Sequence, residues 1–140
     1  MNMARTLEQL EADAWPSAPP DSSPMVLRCH ALRKVPLARL SAGDCRVLIG
    51  QDIGTQHLVS LALGFLEAEP LVEGDHYPGD LLLTLFRLQG NYWSRNPENF
   101  ERLLAVAKRA SDELSRLEEP LGSEAKLLKE VNAYLAQNDA

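Results

Sequence analysis

Thr55-Gln-His-Leu-Val-Ser-Leu-Ala-Leu-Gly-Phe-Leu-Glu-Ala-Glu-Pro70 decides the fold. Leu58, Val59, Leu61, Ala62, Leu63, Phe65 and Leu66 put apolar side chains on nearly every side of a helix, and such a helix belongs at the middle of a domain. Thr55 is read as its N-cap and Pro70 as its stop. The apolar run Leu58–Leu66 falls far short of the roughly 20 residues that span a bilayer, so no membrane segment is expected.

Working outward, the flanking segments carry helical rather than strand periodicity. On the C-terminal side, Gly79-Asp80 leads into a helix through Leu81, Leu82, Leu85, Phe86 and Leu88, ending near Gln89. Gly90-Asn91 breaks the chain, and Tyr92-Trp93 fits a short turn. Asn96-Pro97 is a cap followed by proline. From there Phe100, Leu103, Leu104, Ala107, Ala110, Leu114 and Leu117 keep helical spacing until Pro120 and Gly122. Ser123-Glu-Ala-Lys opens a last helix through Leu127, Leu128, Val131, Tyr134 and Leu135.

On the N-terminal side, Ser41-Ala-Gly-Asp44 starts a helix whose buried face is Cys45, Leu48 and Ile49. Before it, Ser23-Pro24 starts another, with Met25, Val26, Cys29 and Leu32 as its apolar face and Pro36 as its end. Residues 16–24 form a proline-rich surface linker. Thr6-Leu-Glu-Gln9 reads as a capping box, and Trp15 anchors the exit of that first helix. No strand pattern is present. The expected fold is all-α, a compact single-domain bundle of six to seven helices covering residues 1–140.

Charge narrows the function. The net charge is -6, which argues against general nucleic-acid binding, since a phosphate backbone demands a basic surface. Between Arg46 and Arg87 there is no lysine or arginine but there are six acids: Asp52, Glu67, Glu69, Glu73, Asp75 and Asp80. Arg28, Arg33, Lys34 and Arg39 form a basic cluster apart from them in sequence, read as a solvated face with local salt bridges. A strongly acidic stretch suits a basic partner. The N-terminus holds Glu8, Glu11 and Asp13 and no apolar core of a secretory signal. Cys29 and Cys45 sit in apolar helical patterns and are read as reduced thiols of a cytosolic chain.

Glu73, Asp75, His76 and Asp80 share one short stretch. A metal or acid–base site is one reading. Turn and helix capping by Asp75 and Asp80 is a second, and an acidic binding surface a third. The pattern holds no paired histidine motif, calcium loop, phosphate loop or nucleophile elbow. Neighbouring helix residues point about 100° apart, so Cys29-His30 does not form a nucleophile–base pair. Trp93 and Tyr92 are either partner anchors or packing at a helix junction. No cofactor, metal ligand or catalytic residue is expected. A small helical binding protein therefore ranks above an enzyme built on residues 73–80.

Thr6-Leu-Glu-Gln-Leu10 with Trp15, Cys29-His-Ala-Leu-Arg-Lys34 with Pro36-Leu37, Arg46-Val-Leu-Ile-Gly-Gln51 with Gly54, Leu61-Ala-Leu63, and Glu73-Gly-Asp-His-Tyr-Pro-Gly-Asp-Leu-Leu82 stand in an order that resembles the immunity proteins of bacterial contact-dependent growth inhibition (CDI) systems. The resemblance covers Thr6 to Trp93, about two-thirds of the chain. It implies a cytoplasmic protein that forms a heterodimer with the toxin domain at the C-terminus of a large surface exoprotein. It also implies that many such toxins are nucleases, whose basic groove an acidic inhibitor can fill. The candidate toxin-facing residues are Glu67, Glu69, Glu73, Asp75, His76, Tyr77 and Asp80, with Trp93 as an anchor. A helical adaptor unrelated to toxins is the alternative.

Overall fold

A computed structural model describes residues 3–117 and 122–138. Within them lie eight α-helices and no strand: α1 (Leu7–Glu11), α2 (Pro24–Leu32), α3 (Ala42–Gly50), α4 (Thr55–Ala68), α5 (Asp80–Phe86), α6 (Tyr92–Arg95), α7 (Pro97–Ser115) and α8 (Gly122–Asn138). A single 3-10 turn, Leu37–Arg39, joins α2 to α3. The all-α expectation holds. The helix beyond the expected six or seven is α6, four residues long, where the sequence reads as a short turn. Pro120, expected to help stop α7, lies outside the described residues.

The core is organised around α4, whose Leu58, Val59, Ala62, Leu63 and Leu66 are buried. α3, α5 and α7 pack against it, α8 packs on α7, and α2 on α3. α3 contributes Cys45, Val47, Leu48 and Ile49 to the core, α5 contributes Leu81, Leu82, Leu83 and Leu85, and α7 contributes Leu103, Val106, Ala107, Ala110 and Leu114. Phe86 stacks on Tyr134 with ring centroids 4.0 Å apart, fixing α8 against the end of α5.

Helix starts follow the capping signals in most places. Thr6 and Ser41 each accept a backbone N–H and close capping boxes with Gln9 and Asp44. Ser23 accepts from the Val26 amide at 3.2 Å. Two expectations need correction. Gly54, not Thr55, caps α4. It holds φ +66°, and a Cβ there would sit 2.6 Å from the Leu7 side chain, so the position needs both left-handed backbone and close approach. Thr55 instead donates its hydroxyl to Asp52 at 2.9 Å. Asn96 precedes Pro97 as expected but forms no side-chain cap; its amide donates to the Tyr92 carbonyl.

Three apolar assignments also change. Met25 and Val26 are exposed, because the buried face of α2 begins only at Cys29 and continues to Leu32. Leu117 is exposed, since it lies past the last helical residue of α7, Ser115.

The linker at residues 16–24 is mostly exposed. It is held at its start: the His30 ring bonds the Pro16 carbonyl at 3.1 Å and meets the Trp15 ring edge-on.

Candidate functional site

Residues 73–80 form a closed loop at the N-terminal ends of α3 and α5. An antiparallel bridge pairs Glu73 with Pro78, and Gly79, at φ +91°, turns the chain into α5. The organiser is Asp80, only 4 % exposed. Its carboxylate accepts the backbone N–H groups of Gly74 at 2.5 Å, Asp75 at 3.1 Å and His76 at 3.0 Å. A carboxylate taking three amides fixes a loop as a small internal scaffold. Asp80 thus faces inward and offers no surface to a partner.

Asp75 is the second fixed point. Arg28 of α2 donates to both its oxygens, at 2.9 and 3.3 Å, and Arg46 of α3 donates at 2.8 Å. Arg28 also reaches Asp44 at 3.0 Å. The two guanidinium groups, Arg28 first, hold the Asp75 carboxyl below its ordinary range, against the opposing effect of partial burial. Gly43 makes the approach possible: a Cβ there would collide with the Asp75 Oδ1 and lie 2.9 Å from its Cγ. Of the basic cluster read as a solvated face with local salt bridges, Arg28 therefore closes on the acidic loop.

Arg33 is a clearer departure from that reading. It is 1 % exposed, pairs with Glu11 and the Asp13 carbonyl, and lies 4.1 Å over the Trp15 ring. Lys34 pairs with Glu8 at 2.6 Å. No periodicity marks Arg33 as buried, but Glu11, Asp13 and Trp15 supply its acceptors and its aromatic face.

Glu67 is likewise engaged. Arg102 of α7 grips its two oxygens at 2.6 and 3.0 Å, which lowers its carboxyl range, and Arg109 donates to its backbone carbonyl at 2.7 Å. Trp93 is half-buried between Tyr92 and Phe100, with ring centroids 5.0 and 5.8 Å away. Of the eight candidate residues, then, Glu67, Asp75, Asp80 and Trp93 join parts of the fold. Glu69, Glu73, His76 and Tyr77 remain exposed, and no ion pair reaches Glu69 or Glu73 among the described residues.

The arrangement has little reactive chemistry. Among the described residues, no three histidine, cysteine, aspartate or glutamate side chains gather so as to hold a metal ion. Cys29 and Cys45 are buried and free, and burial pushes the Cys45 thiol up to about 12, far from a reactive thiolate. A cleft of about 740 Å³ opens at the other ends of α3 and α5, lined by Asp52, Thr55, Arg87, Tyr92, Arg95 and Glu11 among others. Its acids already have partners, Thr55 for Asp52 and Arg33 for Glu11. No helix among the described residues is long and apolar enough to cross a membrane.

Residues 9–103 match the family model described as CDI immunity proteins, a span that continues past Trp93 through the first two turns of α7. No curated protein matches the chain.

Proposed function

The chain belongs to the family of CDI immunity proteins, and from that premise we propose that it binds and neutralises one cognate contact-dependent growth inhibition toxin domain in the cytoplasm of the cell that makes it. The observation that carries this reading is the family match over residues 9–103. The loop geometry supports a binding role over a catalytic one: its Asp75 and Asp80 carboxylates are spent on fixing its shape. A preorganised loop loses little freedom on association, and this favours affinity.

The toxin-facing surface in this reading is built from Glu69, Glu73, His76 and Tyr77. Asp75 and Asp80 hold that surface in place from behind. Tyr77 is the aromatic anchor of the loop, 42 % exposed, and tyrosine is among the residues that dominate interface energetics. The uncompensated acids and the net charge of -6 fit a basic partner surface, as on a nuclease that must grip phosphates. Such a pair associates quickly through electrostatic steering.

The test is co-purification with the C-terminal toxin domain encoded beside this gene, followed by titration at two salt concentrations. A stable complex whose on-rate falls with salt fits the reading. Absence of any complex, with both proteins folded, removes it and leaves a helical adaptor with another partner.

A further inference from the structure

Only five large apolar side chains stand out strongly into solvent among the described residues, and three are consecutive: Met25, Val26 and Leu27, each between 40 % and 45 % exposed. Successive helix residues point about 100° apart. Three exposed in a row therefore cannot be one stray face of α2. They mean that the exposed apolar surface of its first turn spans about 200° of the helix circumference. A contiguous exposed apolar patch of this kind marks a candidate interaction site.

This turn is not loosely held. Pro24 occupies its first position and Ser23 caps it. One residue further on, Arg28 is pinned to Asp44 of α3 and to Asp75 of the loop. The same bridge brings the turn beside the loop that carries Tyr77, a fourth of the five exposed apolar groups. The charge around this knob is one-sided. Arg28 and Arg46 are consumed by carboxylates, whereas Asp21 and Glu73, one before the turn and one in the loop, have no ion pair among the described residues.

We infer that the first turn of α2, Met25-Val26-Leu27, is the apolar plug of the toxin interface, seated in an apolar groove of the toxin whose rim is basic and meets Asp21 and Glu73. This rests on the toxin-binding reading and deepens it: Tyr77 and the plug form the desolvated centre, and the acids form the rim.

Val26→Glu and Leu27→Glu test this cleanly. Both positions are exposed, and an acid in the first turn of a helix favours the helix, so the fold is expected to persist by circular dichroism. With the toxin domain as the probe, each substitution weakens binding about a hundredfold through a faster off-rate. Asp21→Lys with Glu73→Lys slows the on-rate and flattens its salt dependence. Leu117→Glu, at the remaining exposed apolar residue, leaves affinity unchanged. If the wild-type complex forms but Val26→Glu and Leu27→Glu bind as tightly as wild type, the plug is wrong while toxin binding stands. If the wild-type chain forms no complex, both readings fall together. If instead the free chain sediments as a dimer that Leu27→Glu dissociates, the turn belongs to a self-interface and the plug assignment is overturned.

Discussion

The Arg28 guanidinium holds both oxygens of the Asp75 carboxylate, at 2.9 and 3.3 Å, across 47 positions of sequence. This fork ties α2 to the loop that precedes α5, and Arg46 adds a third bond from α3. Three segments are thereby held in one arrangement. Planar, bidentate pairs of this kind confer direction as well as energy.

Asp75 should make stability depend on acid in a defined way. Its folded pKa lies below its ordinary value of 3.8, chiefly through Arg28. A depressed carboxylate contributes stability that is fully present above the unfolded value and lost as pH falls through the folded one. Asp75→Asn should therefore cost about 1 kcal/mol near neutrality, the modest figure fitting a partly solvent-screened pair. The difference from wild type should shrink below about pH 4. Urea midpoints measured from pH 7 down to pH 2.5 check this. An unchanged difference across that range would mean Asp75 acts by packing alone.

Asp80→Asn should do more damage than Asp75→Asn, although both lie in the same loop. Asparagine keeps the shape but replaces one acceptor oxygen by an N–H donor, now aimed at backbone N–H groups. At a position 4 % exposed, a loss of about 2–4 kcal/mol is expected from unsatisfied donors. Amide exchange supplies a specific readout. The amides of Gly74, Asp75 and His76 should exchange much faster in the variant, while those of α4 change only with global stability.

Gly43→Ala should act through Asp75. The added Cβ would collide with the Asp75 carboxylate, and that carboxylate cannot yield without releasing Arg28. About 1–3 kcal/mol is expected for such overpacking. In an Asp75→Ala background the obstructing atoms are gone, so the same substitution should become nearly neutral. A double-mutant cycle measures this coupling directly. Additive costs would place the strain elsewhere.

Much of the architecture is legible in periodicity and caps. α4 announces itself by being apolar all round, and Thr6, Ser23 and Ser41 mark helix starts that the structure keeps. Pairing across distance is not legible. Arg28 and Asp75 lie 47 positions apart, and nothing in local spacing says that Arg28 will close on an acidic loop. For the same reason the acids of residues 67–80 read either as caps or as a negative surface, and Glu67, Asp75 and Asp80 prove to be turned to internal use. Met25 and Val26 mislead in the opposite sense. Their helical spacing is sound, but spacing cannot say where a helix runs out past its neighbour. Gly54 is visible as a break and not as a cap, because its need for left-handed backbone depends on where Leu7 lands.

Arg33 offers the sharpest test of such long-range pairing. It is the largest side chain buried almost completely, and it joins α2 to the N-terminal segment through Glu11, the Asp13 carbonyl and the Trp15 ring. The Glu8 amide also donates to the Arg33 carbonyl at 3.2 Å. Arg33→Lys keeps the charge but has neither the two-pronged reach nor the flat face that lies over an indole. It should therefore cost about 2–3 kcal/mol, nearly as much as Arg33→Met. The loss should be local first. The amides of Leu10 in α1 and of Ala12 at its C-cap should lose protection before those of α4, because α1 is only five residues long and cannot stand without its dock. Toxin affinity should change little in either variant while the loop at residues 73–80 stays folded. If Arg33→Lys is as stable as wild type, the buried charge rather than the guanidinium geometry holds the segment, and stacking on the Trp15 ring contributes nothing to it.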